Sequence, residues 1–216
     1  EIITSDWSSD VCSSDLAAAN GGGRVVLTPG EFVCGSIYLK SGVSLHLEEG
    51  SCLLGSLNPW DYVRDEVASW TAFIFAVDQE NIGITGKGVI DCRGFEVATR
   101  MVDYIHKGLL SDPLKLDRPS EVNRPENIHF FRCKDIVIKD VTMKNPASWN
   151  QQYDLCRNIL IDGIKVDAKA YWNNDGLDLV DCSDVVVRNC YIDAADDAYC
   201  RSEEHTSELQ SLVIIS

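Results

Sequence analysis

Basic residues are scarce in this 216-residue chain, with 19 Lys and Arg against 34 Asp and Glu and a formal charge of −15. A protein of that balance lacks the clustered cations that a phosphate backbone demands, so nucleic acid is not expected as a partner. No apolar run approaches the roughly 20 residues that a bilayer-spanning helix needs, and a membrane is not expected either. The nine cysteines include no Cys-x-x-Cys pair, which argues against a zinc ribbon or a thioredoxin-type motif. What is present, 45% hydrophobic and 25% charged residues, is the composition of a globular protein with enough chain for one sizeable core.

The two ends stand apart from the rest. The head, Ser5 to Leu16, and the tail, Arg201 to Ser211, look like translations of one sequencing-library adapter read from opposite strands. No folding argument relates two such ends, so residues 1–16 and 201–216 are expected to be non-native and residues 17–200 to be the natural fragment. The head carries three aspartates and the tail three glutamates against one arginine; without them the charge is −10, still acidic.

Between the ends runs a repeat. Cys133-Lys134-Asp135-Ile136-Val137-Ile138 aligns with Cys156-Arg157-Asn158-Ile159-Leu160-Ile161 and with Cys182-Ser183-Asp184-Val185-Val186-Val187, at spacings of 23 and 26 residues. Weaker copies begin at Asn81 and Asn127. Each unit has an Asp or Asn turn residue, an apolar alternation of period two, a polar break and a second alternation, the mark of two short strands around a bend. A unit of that length cannot bury its inward face alone, whereas stacked units bury a continuous core. The expected fold is therefore all-β, a parallel β-solenoid, with a β-sandwich as the runner-up. The recurring cysteines read as small apolar thiols stacked at a turn. One segment, Phe95 to Asn123, breaks the rhythm, with near-helical spacing of Val97, Met101, Val102 and Ile105. An insertion on a solenoid often borders a binding groove.

Three carboxylates fall in the repeat's last coils. Asp175 and the pair Asp196-Asp197 are 21 residues apart, about one coil, which places them on neighbouring rungs roughly 4.8 Å apart. Glycosidic cleavage needs one protonated acid and one ionised partner, and crowded carboxylates supply both because they cannot all ionise comfortably. Asn150 and Gln151 should lie on nearly the same face one coil earlier, where their amides are candidates to bind sugar hydroxyls, with Trp149 as a stacking surface. A calcium loop at Asn173, Asp175 and Asp178 is the weaker reading, since the bidentate Glu of an EF-hand is missing. No metal and no cofactor is expected.

Asn173-Asn174-Asp175-Gly176-Leu177-Asp178 followed by Asp196-Asp197-Ala198 resembles, in order and spacing, the Asn-x-Asp and Asp-Asp motifs of glycoside hydrolase family twenty-eight, the polygalacturonase-like pectinases. The Gly-rich opening Gly21-Gly22-Gly23 and the run Ile84 to Asp91 are similar to bacterial members as well, so the resemblance covers nearly all of residues 17–200. It implies a right-handed single-stranded parallel β-helix and an inverting hydrolase acting on galacturonate-containing pectic polysaccharide. It further implies Asp196 as general acid, Asp175 and Asp197 sharing the base role, and Asn173 orienting the site. A secreted or periplasmic location and a monomeric full-length form are implied too.

The family's Gly-His-Gly and Arg-x-Lys motifs of later coils do not follow the acids here: the histidines are His46, His106, His129 and His205, none between glycines, and no lysine comes after Asp197. The chain therefore reads as C-terminally truncated and is expected to be inactive or nearly so. A calcium-dependent pectate lyase and a non-catalytic carbohydrate-binding solenoid remain the alternatives.

Overall fold

The computed structural model describes residues 2–4, 17–113, 118–202 and 213–215. Most of the two adapter-like ends lies outside them; residues 2–4, 201–202 and 213–215 are strand. The described chain is a right-handed parallel β-helix wound from three sheets, and the sandwich alternative is wrong. The longest sheet stacks β1 (Ile2–Thr4), β2 (Gly23–Leu27), β5 (Val43–Leu47), β8 (Glu80–Gly86), β11 (Lys134–Lys139), β14 (Arg157–Asp162), β17 (Ser183–Arg188) and β20 (Val213–Ile215). A second stacks β3 (Gly30–Cys34), β6 (Ser51–Gly55), β9 (Val89–Asp91), β12 (Thr142–Lys144), β15 (Lys165–Ala168) and β18 (Tyr191–Ala194). The third stacks β4 (Ile37–Tyr38), β7 (Ala72–Val77), β10 (Glu126–Phe131), β13 (Gln151–Asp154), β16 (Asp178–Val180) and β19 (Cys200–Ser202).

The alternation seen in the sequence becomes columns of like residues. Ile82, Ile136, Ile159 and Val185 pair in register along the longest sheet, as do Ile84, Ile138, Ile161 and Val187 two residues on. All eight are buried, each contributing roughly 1.5–3 kcal/mol on leaving water. At the bend into this sheet, Asn81, Asp135, Asn158 and Asp184 hold φ near +55°. Asp and Asn tolerate that left-handed conformation better than other residues with a side chain, which is why these four coils each spend one there. Cys133, Cys156 and Cys182 are buried thiols stacked beside the same bend, the Cys133 amide donating to Cys156 Sγ at 3.3 Å.

The irregular segments leave one corner. Residues 56–71, 92–125, 145–150, 169–177 and 195–199 all run from the second sheet to the third. Within the longest of them, helix α1 (Gly94–His106) buries Val97, Ala98, Met101 and Ile105, close to the expected spacing. The end of that segment folds back over the third sheet, where Thr71 Oγ1 donates to the Val122 carbonyl at 2.9 Å.

Candidate active site

The connection between β15 and β16 is held from inside. Asn174 is fully buried, its Nδ2 donating to the carbonyls of Pro146 and Ser148 at 3.1 and 2.7 Å while its Oδ1 accepts the Tyr171 amide at 2.6 Å. Arg124 is also fully buried and donates to the carbonyls of Pro119, Ala147 and Trp172 and to Asn173 Oδ1 at 2.6 to 3.0 Å. Arg118 adds a second bond to Asn173 Oδ1 at 2.6 Å. These contacts leave Asp175 at a fixed point on the coil, only 9% exposed.

The next coil meets it through the backbone. Gly176 N–H donates to the Asp197 carbonyl at 2.8 Å, and Asp196 N–H to the Asn174 carbonyl at 3.4 Å. A Cβ at Gly176 would collide with the Ile192 side chain and the Ala198 carbonyl, so only glycine permits coils this close. One carboxylate oxygen from each of Asp175, Asp196 and Asp197 lies within 4.8 Å of the other two, with Asp175 buried and the pair exposed. Burial first, then the charges of Asp196 and Asp197, push Asp175 up to about 6. Three acids alone do not make a metal centre, although their oxygens are close enough to share one cation.

A second acidic layer lies on the third sheet beside them. Asp178, 4% exposed, is pushed up to about 8 by burial and then by Asp175 and Glu126. Further along, the enclosed His129 ring sits between Glu126, 3.3 Å from Nδ1, and Asp154, 3.2 Å from Nε2. Burial raises Glu126 to about 7; it also opposes protonation of His129, yet the two flanking acids prevail and hold that ring at about 9. Gln152 Nε2 donates to both oxygens of Asp154 at 2.9 and 3.0 Å. A cavity of about 340 Å³ opens here, reached by Asp154, Asp175 and Asp178 and walled by Trp70 and Trp149, whose ring centroids are 4.9 Å apart.

The expected residues are distributed unevenly. Asp175, Asp196 and Asp197 come together and Trp149 faces the cavity. Asn173 sits beside the acids, occupied by the two arginines. The expectation that Asn150 and Gln151 bind substrate is corrected: both are fully buried. Their placement one coil back is right, since Asn150 N–H donates to the Asp175 carbonyl at 2.9 Å. Their amides, however, donate to the Gly176 carbonyl at 3.3 and 3.2 Å, and their oxygens accept from Asn127 and Tyr153. They brace the loop that carries Asp175 and present no surface to a ligand. Sequence pattern alone marks Asp178 only as a ligand of the weaker calcium reading, and Glu126, His129 and Asp154 not at all. The available signal was strand alternation, because Leu177 and Leu179 are fully buried in the core and Asp178 between them must face the other way.

Residues 27–205 match the profile of Glycosyl hydrolases family 28. The chain belongs to that family. Among family 28 relatives, a Vitis vinifera protein named "Probable polygalacturonase" is 30% identical over 193 residues, covering 83% of this chain and 36% of that one. The exo-poly-alpha-D-galacturonosidase of Dickeya chrysanthemi is 24% identical over 223 residues, covering 85% and 37%. A Parabacteroides merdae crystal structure assigned as a glycosyl hydrolase superposes with a TM-score of 0.79 at 28% identity, covering 94% of this chain and 83% of that one. The chain thus spans little more than a third of the length of these curated relatives.

Proposed function

We propose that these residues form the acid–base half of a glycosidase acting on galacturonate-containing pectic polysaccharide. The observation that carries this reading is the meeting of Asp175, Asp196 and Asp197 within 4.8 Å on adjacent coils of a family 28 chain. Asp196 gives the leaving oxygen its proton, and Asp175 and Asp197 position and activate water. These roles follow the family motif residue by residue. Asn173, held by Arg118 and Arg124, fixes the loop from the other side. The polygalacturonase names of the relatives support the substrate class. A secreted or periplasmic location goes with it, and no helix among the described residues is long and apolar enough to cross a membrane.

Inversion is the proposed stereochemistry. The 4.8 Å grouping is tighter than the about 6.5–9.5 Å usual between the carboxyls of inverting glycosidases, so the anomer released, read by proton NMR, tests this point directly. The 216 residues hold no Gly-His-Gly, and their Arg-x-Lys, Arg132-Cys133-Lys134, precedes the acids instead of following them, so little turnover is expected from them. The decisive assay uses a chain extended through coils bearing those motifs, with reducing ends released from polygalacturonate as the readout. Asp196→Asn should lower kcat by about 10²–10⁴-fold, the range for a lost general acid. Turnover within tenfold of the parent would reject the assignment.

A further inference from the structure

The cavity beside Asp175 has a chemical character that the proposed reaction does not by itself require. Its described lining includes no Lys and no Arg. Arg118, the exposed guanidinium bonded to Asn173, does not line it. The nearby cation His129 is fully enclosed and already faces Glu126 and Asp154. Among the described lining residues, a negative substrate group entering here would meet Asp154 and Asp175 and no Lys or Arg.

The hydrogen-bonding groups tell the same story. Gln152 Oε1 and Asp178 Oδ2 are buried oxygens with no hydrogen-bond partner, on side chains each 4% exposed, and both residues line the cavity. The Gln152 amide nitrogen is committed to Asp154, so what this side chain still offers is an acceptor. Acceptors call for donors. A sugar hydroxyl donates, whereas an ionised uronate carboxylate only accepts. A protonated Asp178 donates one hydrogen bond but supplies no charge. Trp70 and Trp149, half-buried and 4.9 Å apart, add ring surface suited to the C–H face of a pyranose.

We propose that this cavity is a subsite for an uncharged pyranose, next to the bond that the three acids cleave. The occupant is either a neutral sugar or a galacturonate whose carboxyl is methyl-esterified, which share the donor-rich, charge-free surface that the lining selects. The position of the bond rests on the hydrolase reading above; the selectivity rests on the lining alone.

The test is a titration followed by tryptophan fluorescence and calorimetry, with three probes of equal length: unesterified hexagalacturonate, its fully methyl-esterified form, and an alternating rhamnose–galacturonate hexamer. Using the Asp196→Asn chain removes turnover from the measurement, so binding preference is read whether or not the hydrolase assignment stands. One of the two charge-reduced probes should bind about tenfold or more tighter than the free acid, in line with the cost of juxtaposing like charges. Tighter binding of the ester identifies methylated pectin as the source, and tighter binding of the rhamnose hexamer identifies a neutral sugar. Asp154→Asn should narrow the gap by improving the free acid, and higher ionic strength should narrow it without any substitution. Gln152→Leu should weaken the charge-reduced probes. Equal or tighter binding of the free acid overturns the proposal, as does a gap insensitive to both Asp154→Asn and salt, or no saturable binding of any probe.

Discussion

The longest sheet and the third sheet are wound from the same coils, yet they solve burial differently. In β11, β14 and β17 the inward positions are buried Ile and Val, while the outward ones, Val137, Leu160 and Val186 among them, stay open to water, so each strand needs only its ladder and its core. In β10 and β13 nearly every residue is buried on both faces, including Glu126, Asn127, His129, Gln151 and Gln152. Polar groups hidden in this way must find partners. Asn127, Asn150, Gln151 and Arg124 do so with one another and with loop carbonyls. Buried oxygens without a hydrogen bond, on Glu126, Asn127, Ser148, Gln152, Asp175 and Asp178, lie on this sheet or on the loops that lead into it. The comparison teaches that this solenoid concentrates its unsatisfied chemistry on one sheet and leaves the others to hold the stack, the local inconsistency expected of a functional site.

The sharpest way to break that division is to remove a partner from the third sheet's cover. Arg124→Met would strand the carbonyls of Pro119, Ala147 and Trp172 and leave Asn173 Oδ1 to Arg118 alone. A loss of about 3–5 kcal/mol is expected, the range for breaking a buried charged network from one side, read from urea midpoints. Arg132→Met removes an equally well-formed pair with Asp78, but one exposed to water, and should leave the midpoint nearly unchanged. Equal effects would mean that the cover over the third sheet is not a structural unit.

Stability against pH separates the two regions next. Asp175, Asp178 and Glu126 sit at about 6, 8 and 7 in the folded chain, all above the ordinary carboxylate range, and His129 at about 9 lies above its ordinary 6.5. A group raised on folding contributes stability that is complete below its unfolded pKa and disappears as pH climbs through its folded one. All four share that sign, so the melting temperature should fall from about pH 5 to about pH 9. Asp162 in the longest sheet has the opposite sign: Asn189 and Arg188 lower it, and its contribution is lost only as pH drops toward the acid end. Asp178→Asn should flatten the part of the fall near pH 8. A melting temperature that rises across the interval, or an unaltered slope in the variant, would contradict the placement of these charges.

The same contrast explains what could be read from the chain alone. The longest sheet was legible because Ile136, Ile159 and Val185 repeat at one offset from Cys133, Cys156 and Cys182, a periodic signal that one face of one sheet imposes directly. The meeting of the three proposed acids was legible because Asp175 and Asp196-Asp197 are spaced by about one coil. Asn150 and Gln151 were placed on the right rung, but their exposure was misjudged. Their partners Asn127 and the Gly176 carbonyl come from the coils on either side and leave no local mark. Glu126, His129 and Asp154 escaped for the same reason, since their pairing is set by strand register across coils.

The smallest expected effect lies at the bends. Asn158, entering the longest sheet, holds φ +55°, while Leu155, leaving the third, holds φ +53° with a branched apolar side chain that reaches the cavity. The left-handed region costs about 1–2 kcal/mol for most residues with a Cβ and less for Asn. Asn158→Ala should therefore lose about 1 kcal/mol, and Leu155→Asn should gain a similar amount, both read by chemical denaturation. The two bends have nearly the same φ, so a residue poorly suited to it has been kept at the one that borders the cavity. If Leu155→Asn destabilises instead, its side chain contributes more as a wall of the cavity than its backbone strain takes away, and the third sheet's corner is packed more tightly than its exposed bend suggests.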